Sequence, residues 1–326
     1  MIDRRRFTQS AAALLALAAP AARVRAQSLE SARILVGFPA GGTTDGISRR
    51  VADKIRGVHA RTVLVDNKPG AGGRLAVEEL KRSPNDGSVM LLTPASMITL
   101  YPHIYTKLPY GLADVTPVCT AVTVQFALGV GPAVPESVKT VKDFLTWARE
   151  NPSRANYGSP GAGSPPHLVA ALLSKESGVE LRHVPYRGSA PGIQDLLGGQ
   201  VTAFSSPVGD YIAHARAGRL RILATSGATR SRFTPEVPTY TEQGFKALEL
   251  TEWFGFFLPA QASPDRVQRL AAAIKAGVES PDVVEGIAAL GLEPSVSTPA
   301  AIAEAVRREH EAWGPIVKRV GFTPES

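Results

Sequence analysis

Short apolar runs alternate along the chain with stretches in which apolar positions recur every three or four residues. The runs at 33–38, 62–65, 89–93, 120–130, 155–157, 181–184, 201–205, 220–225 and 254–258 predict strands. The periodic stretches at 44–56, 73–81, 141–150, 166–177, 190–197 and 208–217 predict the helices between them. Strands separated by helices in this way imply βαβ units and mainly parallel sheets. From residue 264 the pattern is helical only, over 264–280, 282–290 and 299–320, with Gly291 as a C-terminal cap. Such a tail is expected to pack back across a sheet. No repeat period or low-complexity tract is visible, which argues against a solenoid or a beads-on-string array.

The first 26 residues stand outside this alternation. Arg4, Arg5 and Arg6 precede Phe7, an alanine-rich stretch follows, and Val24-Arg25-Ala26 is a small-x-small cleavage site. This order is that of an export signal cleaved after Ala26, and the R-R-x-F pattern points to the twin-arginine route. The expected destination is the periplasm. Removing this leader takes away five arginines and one aspartate, so the net charge falls from +7 to +3. With no Lys/Arg block left and no basic residues interleaved with aromatics, nucleic-acid binding is not expected. Cys119 is the only cysteine, in an apolar context that predicts an inert buried thiol. The remaining length exceeds one typical core and predicts two domains.

Two turns carry the candidate chemistry. In "ILVGFPAGGTTDGISRRVADKI" a strand enters a turn with bare backbone at Gly41 and Gly42, and a helix starts near Thr43. Glycines let a ligand approach the backbone, Thr43, Thr44 and Asp45 supply N-cap chemistry, and exposed N–H groups at a helix start attract anions. The stretch "YGSPGAGSPPHLVAALL" repeats the grammar: a strand, then Ser159, Gly161, Gly163 and Ser164, then a helix whose first turn holds Pro165, Pro166 and His167. Two such turns from different domains, facing each other, would clamp one small anion. Either turn alone also reads as an ordinary strand-to-helix connection.

Enzyme and cofactor motifs fit less well. The segment around Ser159 approaches a nucleophile elbow, but Tyr157 stands where G-x-S-x-G needs glycine. A serine hydrolase using Ser159, with His167 and Asp210 as partners, is the alternative reading. The G-A-G-S-P-P run lacks the third glycine of a dinucleotide fingerprint, and neither turn ends as a P-loop. The six histidines form no helical metal pair, so neither metal nor cofactor is expected. His167 reads as a capping or supporting residue.

Seven segments in order, "FPAGGTTD", "VDNKPGAGG", "SPNDGSVMLLT", "YGSPGAGSPPH", "VPYRGSAPGIQDLLGGQV", "EVPTYTEQGF" and "WFGFFLPA", give the chain a resemblance to the Bug-type extracytoplasmic receptors. These are the substrate-binding proteins of tripartite tricarboxylate transporters. The resemblance implies an α/β, type II periplasmic-binding-protein fold: two α/β domains, a hinge, and a ligand cleft between them. Domain 1 would be residues 27–128 plus 254–326, and domain 2 residues 129–253. It further implies a monomeric, non-enzymatic solute receptor that closes around a small carboxylate for uptake or sensing, with membrane transporter subunits as partners. By the same likeness the ligand would be held by Phe38, Pro39, Ala40, Gly41, Gly42, Thr43, Thr44 and Asp45. Opposite them would stand Ser159, Gly161, Gly163, Ser164 and His167, with Phe204 and Ser206 at the end of a neighbouring strand. Related receptors often read V-D-x-M-F-D where this chain has V-T-A-F-S-S at 201–206. Without those acids an ammonium group would lack a partner, so di-, tri- or aromatic carboxylates are expected in preference to amino acids. Asp45, a negative charge beside an anion site, is expected to cap or brace its loop, pointing away from the ligand carboxylate.

Overall fold

In the computed structural model, residues 29–322 are described. The expected leader, residues 1–26, lies outside them. β1 (Leu29–Val36) leads to α1 (Thr43–Ile55), β2 (Ala60–Asn67), α2 (Arg74–Lys81) and β3 (Val89–Pro94). Two single-turn helices, α3 (Ser96–Thr99) and α4 (Tyr101–Ile104), precede a 16-residue strand, β4 (Val115–Val130). Next come α5 (Val141–Glu150), β5 (Asn156–Ser159), α6 (Pro165–Ser177), β6 (Arg182–Pro185) and α7 (Ser189–Leu197). After β7 (Ala203–Pro207), α8 (Gly209–Arg216) and β8 (Arg221–Thr225), the chain returns through β9 (Thr251–Pro259). The tail is α9 (Pro264–Val278), α10 (Pro281–Ala288), a two-residue β10 (Glu293–Pro294) and α11 (Pro299–Val320).

The strands run in the order β2-β1-β3-β9-β4-β7-β5-β6, with β8 and β10 also pairing to β4. β1 is parallel to β2 and β3, and β5 is parallel to β6 and β7. β4 joins the two groups. Its residues 115–125 pair with β9 and residues 126–130 with β7, both antiparallel. The expectation of mainly parallel pairing therefore holds for the outer strands and fails at the centre. Periodicity registers which faces are buried but carries no information on strand direction.

Strand faces explain the cores. Ile34 and Val36 on one face of β1 join a cluster with Ile47, Val51 and Ile55 of α1, while Leu35 on the other face packs with Leu91, Phe257 and α11. Both faces of β1 are apolar because helices cover both. The β5–β7 half has its own two clusters, one around Phe144 and Tyr157, the other around Phe204 and Tyr211. The tail packs back as expected, α9 against α1 and α11 across β4. The segment carrying α3 and α4 was not predicted as helical. Ser96 to Leu100 are all buried, so no amphipathic period marks them. Cys119 is fully buried, and burial pushes its thiol up to about 12.

Candidate functional site

In an open α/β sheet, ligands settle outside the carboxyl ends of the strands where neighbouring connections leave in opposite directions. This sheet has two such points. The helix after β1 leads outward to β2, and the chain after β3 leads inward past β9. Likewise α6 leads from β5 outward to β6, while α8 leads from β7 inward to β8. The segments at the first point are residues 37–42, before α1, and Ala95–Ser96, after β3. Those at the second are residues 160–164, before α6, and Ser206–Pro207, ending β7.

The first loop exposes Pro39, Ala40, Gly41 and Gly42, keeps Phe38 and Thr43 half-buried, and buries Thr44 and Asp45. Gly41 sits at φ +84°, a conformation a side chain disfavours, and Gly42 is the extended N-cap of α1 with no capping side chain. Asp45 does not cap its helix. Its Oδ2 accepts from the Gly41 N–H and Arg49 Nε, each at 2.9 Å, and its Oδ1 accepts from Asn67 Nδ2 at 3.0 Å. Asn67 Nδ2 also donates to the Phe38 carbonyl at 3.1 Å. Burial alone would raise the Asp45 carboxyl; the hydrogen bonds from Arg49, Gly41 and Asn67 outweigh it and hold the group below the usual carboxylate range. Asp45 thus ties the loop to β2, as its expected bracing role requires. One consequence was not foreseen: the Gly41 N–H is already occupied, so the donors the loop can offer an anion come from the uncapped first turn of α1.

The second loop is held in a related way. The Gly163 N–H donates to His167 Nδ1 at 2.9 Å, and the Ser164 hydroxyl donates to the Gly161 carbonyl at 2.7 Å. His167 stacks on His183 at 3.8 Å and on Tyr157 at 6.2 Å. Burial, with the neighbouring His183, pushes His167 down to about 3; burial pushes His183 down to about 4. Both rings are neutral near pH 7, and His167 is the tautomer protonated on Nε2. Because Pro165 and Pro166 carry no N–H, His167 supplies the only backbone donor in the first three positions of α6. This turn is poorer in donors than its glycine-serine spelling implied.

Ser159 is 0% exposed; its hydroxyl donates to the Gly161 carbonyl at 3.1 Å and lies 2.8 Å from His183 Nε2. The hydrolase alternative therefore fails on geometry. Its nucleophile has no access to substrate, and the histidine beside it is His183, while His167 is committed to Gly163. Phe204 is also fully buried, wedged against Gly158 and Gly192 where either Cβ would clash with its ring. It shapes the second loop from beneath. Ser206 is buried, its hydroxyl beside the Asp210 carboxyl and the Tyr211 hydroxyl.

Shared neighbours bring the two loops together. Phe38 and Met97 pack beside Gly73, and on the same α3–α4 segment Ile104 packs against Gly163. On another flank Leu290 touches both Gly46, in the first turn of α1, and Gly209, which opens α8. Sequence reasoning missed Arg49, Asn67 and His183, which fix the loops from other elements and carry no local motif. Two cavities lie elsewhere: one of about 280 Å³ bordered by Gln125, Arg230, Arg232 and Glu293, and one of about 120 Å³ bordered by Ser96, Glu252, Glu309 and Trp313. No group of three or more His, Cys, Asp or Glu among the described residues is arranged to hold a metal.

Comparison with known proteins agrees with this geometry. A family described as "Tripartite tricarboxylate transporter family receptor" matches residues 47–322. A UPF0065 protein from the tcbD-tcbE intergenic region of Pseudomonas sp. (strain P51) is 33% identical over 310 residues, covering 93% of this chain and 91% of its own. Among solved structures, Rpa4515 of R. palustris with adipate has a TM-score of 0.83 at 28% identity, covering 90% of this chain and 98% of that one. The periplasmic binding protein BugD has a TM-score of 0.81 at 27% identity, covering 90% and 99%. The fold is thus the α/β periplasmic-binding-protein fold. No helix among the described residues is long and apolar enough to cross a membrane.

Proposed function

From the premise that the chain belongs to the tripartite tricarboxylate transporter receptor family, we propose that it is a periplasmic receptor for a small di-, tri- or aromatic carboxylate. The observation that carries this reading is the pairing of two uncapped helix starts, α1 and α6, at the carboxyl ends of parallel strands. The relative solved with adipate supports the ligand class. In this reading the ligand carboxylate meets the N–H groups of Thr43 and Thr44 and of His167, with Phe38 to Gly42 and Gly161 to Ser164 shaping the walls. Ser159, Phe204 and Asp45 support the loops.

The two lobes would be residues 27–128 plus 254–326 and residues 129–253, hinged where β4 passes from one group of strands to the other. The ligand binds one lobe first, and closure adds the second set of donors, so the closed form is selected by its greater affinity. A micromolar dissociation constant needs only about 8 kcal/mol, within reach of a desolvated anion with several charge-assisted hydrogen bonds. Export through the Arg4–Arg5 leader, cleavage after Ala26, a monomeric state and delivery to membrane transporter subunits complete the proposal.

The test is a thermal-shift screen over mono-, di-, tri- and aromatic carboxylates, run on the wild type and on Gly42→Val. Gly42 has φ −78°, which valine tolerates, so the variant should fold normally and lose the ligand response. A ligand shift that survives unchanged would exclude the α1 loop as the site.

A further inference from the structure

The long strand β4 changes its partners at a single level. Up to Gln125, opposite Thr251, one edge is held by β9; from Ala127, opposite Thr225, the same edge is held by β8. Between β8 and β9 the chain leaves this edge for residues 227–249 and returns at Leu250. Ser226 fills the junction. Its N–H donates to the Phe126 carbonyl at 2.8 Å, as a ladder residue does, and its carbonyl accepts from the Leu250 N–H at 2.7 Å. Its hydroxyl adds two bonds, accepting from the Phe126 N–H at 2.9 Å and donating to the Leu250 carbonyl at 2.5 Å. Ser226 is 0% exposed, so water has no access to take over these bonds. Leu250 packs against the cores of both halves of the sheet. One step along β4, the Gln125 carbonyl accepts from the Val208 N–H at 2.9 Å on the opposite edge. Gln125 and Thr251 therefore form the kind of antiparallel pair that exchanges no backbone hydrogen bonds.

We propose that Ser226 is the pin of the hinge, a positioning residue that ties together the two strands crossing between the lobes and sets where they bend. This rests on the two-lobe receptor reading. The chain passes between the two groups of strands at Gln125–Phe126 in β4 and at Leu250–Thr251 entering β9. For two rigid lobes to close about one axis, both crossings must bend at the same level. Ser226 holds Phe126 and Leu250 to each other and to the end of β8, so both move with the β5–β7 lobe. Bending is then confined to the next pair, Gln125 and Thr251, where rotation breaks no ladder bond. Hinges are a few loop or element-terminal residues, and Leu250 and Thr251, at the start of β9, meet that description. Without the hydroxyl, the Phe126 N–H and the Leu250 carbonyl lose a buried partner, and the two crossings are free to bend independently.

The experiment is pulsed electron paramagnetic resonance on the ligand-free protein, with spin labels at Val58→Cys in one lobe and Lys142→Cys in the other. Both positions are exposed, and the fully buried Cys119 stays unlabelled. The label pair is placed in the wild-type background, in Ser226→Ala, in Ser226→Cys and in Ser174→Ala. Ser174 is the control: its hydroxyl makes the same kind of bridge, donating to the Val179 carbonyl at 2.6 Å and accepting from the Leu181 N–H at 3.1 Å, but within one lobe. Ser226→Ala should at least double the width of the interlobe distance distribution. Ser226→Cys, with a weaker donor, should widen it by less. Ser174→Ala should lower the melting temperature and leave the width unchanged. Two outcomes overturn the proposal: an unchanged width in Ser226→Ala, or equal widening by Ser174→Ala, which would mean general loosening and no special role at the hinge. If Ser226→Ala does not fold, Ser226→Cys decides, a wider distribution supporting the pin and an unchanged one overturning it. The measurement needs no ligand, so its failure is distinct from that of the carboxylate screen, on which the receptor reading stands or falls.

Discussion

At the scale of single residues, several that look like ligand groups hold the frame instead. Asp45 is bound by Gly41, Arg49 and Asn67, His167 by Gly163, and Ser159 by Gly161. Their chemistry was legible in the sequence. Their assignment was not, because whether a carboxylate faces a ligand or a backbone amide depends on partners 22 residues away at Asn67 or, for Ser159, 24 away at His183. A different buried acid sets a pH response. Glu252, at the start of β9, accepts from the Ser96 N–H at 3.0 Å. Burial, helped by the neighbouring Glu309, pushes it up to about 7 from the usual 4.5, against the opposing hydrogen bonds from Ser96. Between those two values the folded protein holds a proton that the unfolded chain releases. Stability therefore falls as pH rises through the window, by at most roughly 3 kcal/mol from this group. Glu252→Gln should melt several degrees above the wild type at pH 8 and close to it at pH 4.5. Parallel melting curves across that range would mean that Glu252 titrates as an ordinary carboxyl.

At the scale of elements, alternation and period located the nine predicted strands and nine predicted helices, because burial of a face imposes its repeat on the chain. They missed the short helices α3 and α4, four residues each and too short to show a repeat, and the antiparallel placement of β4 and β9. Element packing also explains a glycine that carries no turn. A Cβ at Gly209 would lie 1.9 Å from the Leu290 carbonyl oxygen, a backbone atom that no rotamer change can move. Gly209→Ala should therefore lose about 1–3 kcal/mol of stability in urea denaturation, the range for overpacking a close contact. An unaltered denaturation midpoint would show that α8 and the segment after α10 separate freely.

For the whole molecule, the proposed function makes a prediction about shape. If the two halves of the sheet close on a carboxylate by bending at β4, saturating ligand should reduce the radius of gyration in small-angle scattering, and Gly42→Val should remain at the ligand-free value. An unchanged scattering profile with bound ligand would remove closure from the mechanism. By itself, the order of motifs along the chain identified the receptor family and the α/β class, and local spelling located the two glycine-bearing turns, since strand, turn and helix start are consecutive in the chain. Only the tertiary structure decided which of their N–H groups are already taken and that Ser159 and Phe204 are sealed beneath the loops. Those facts depend on atoms that meet across elements, and a linear pattern carries no record of which buried donor finds which acceptor.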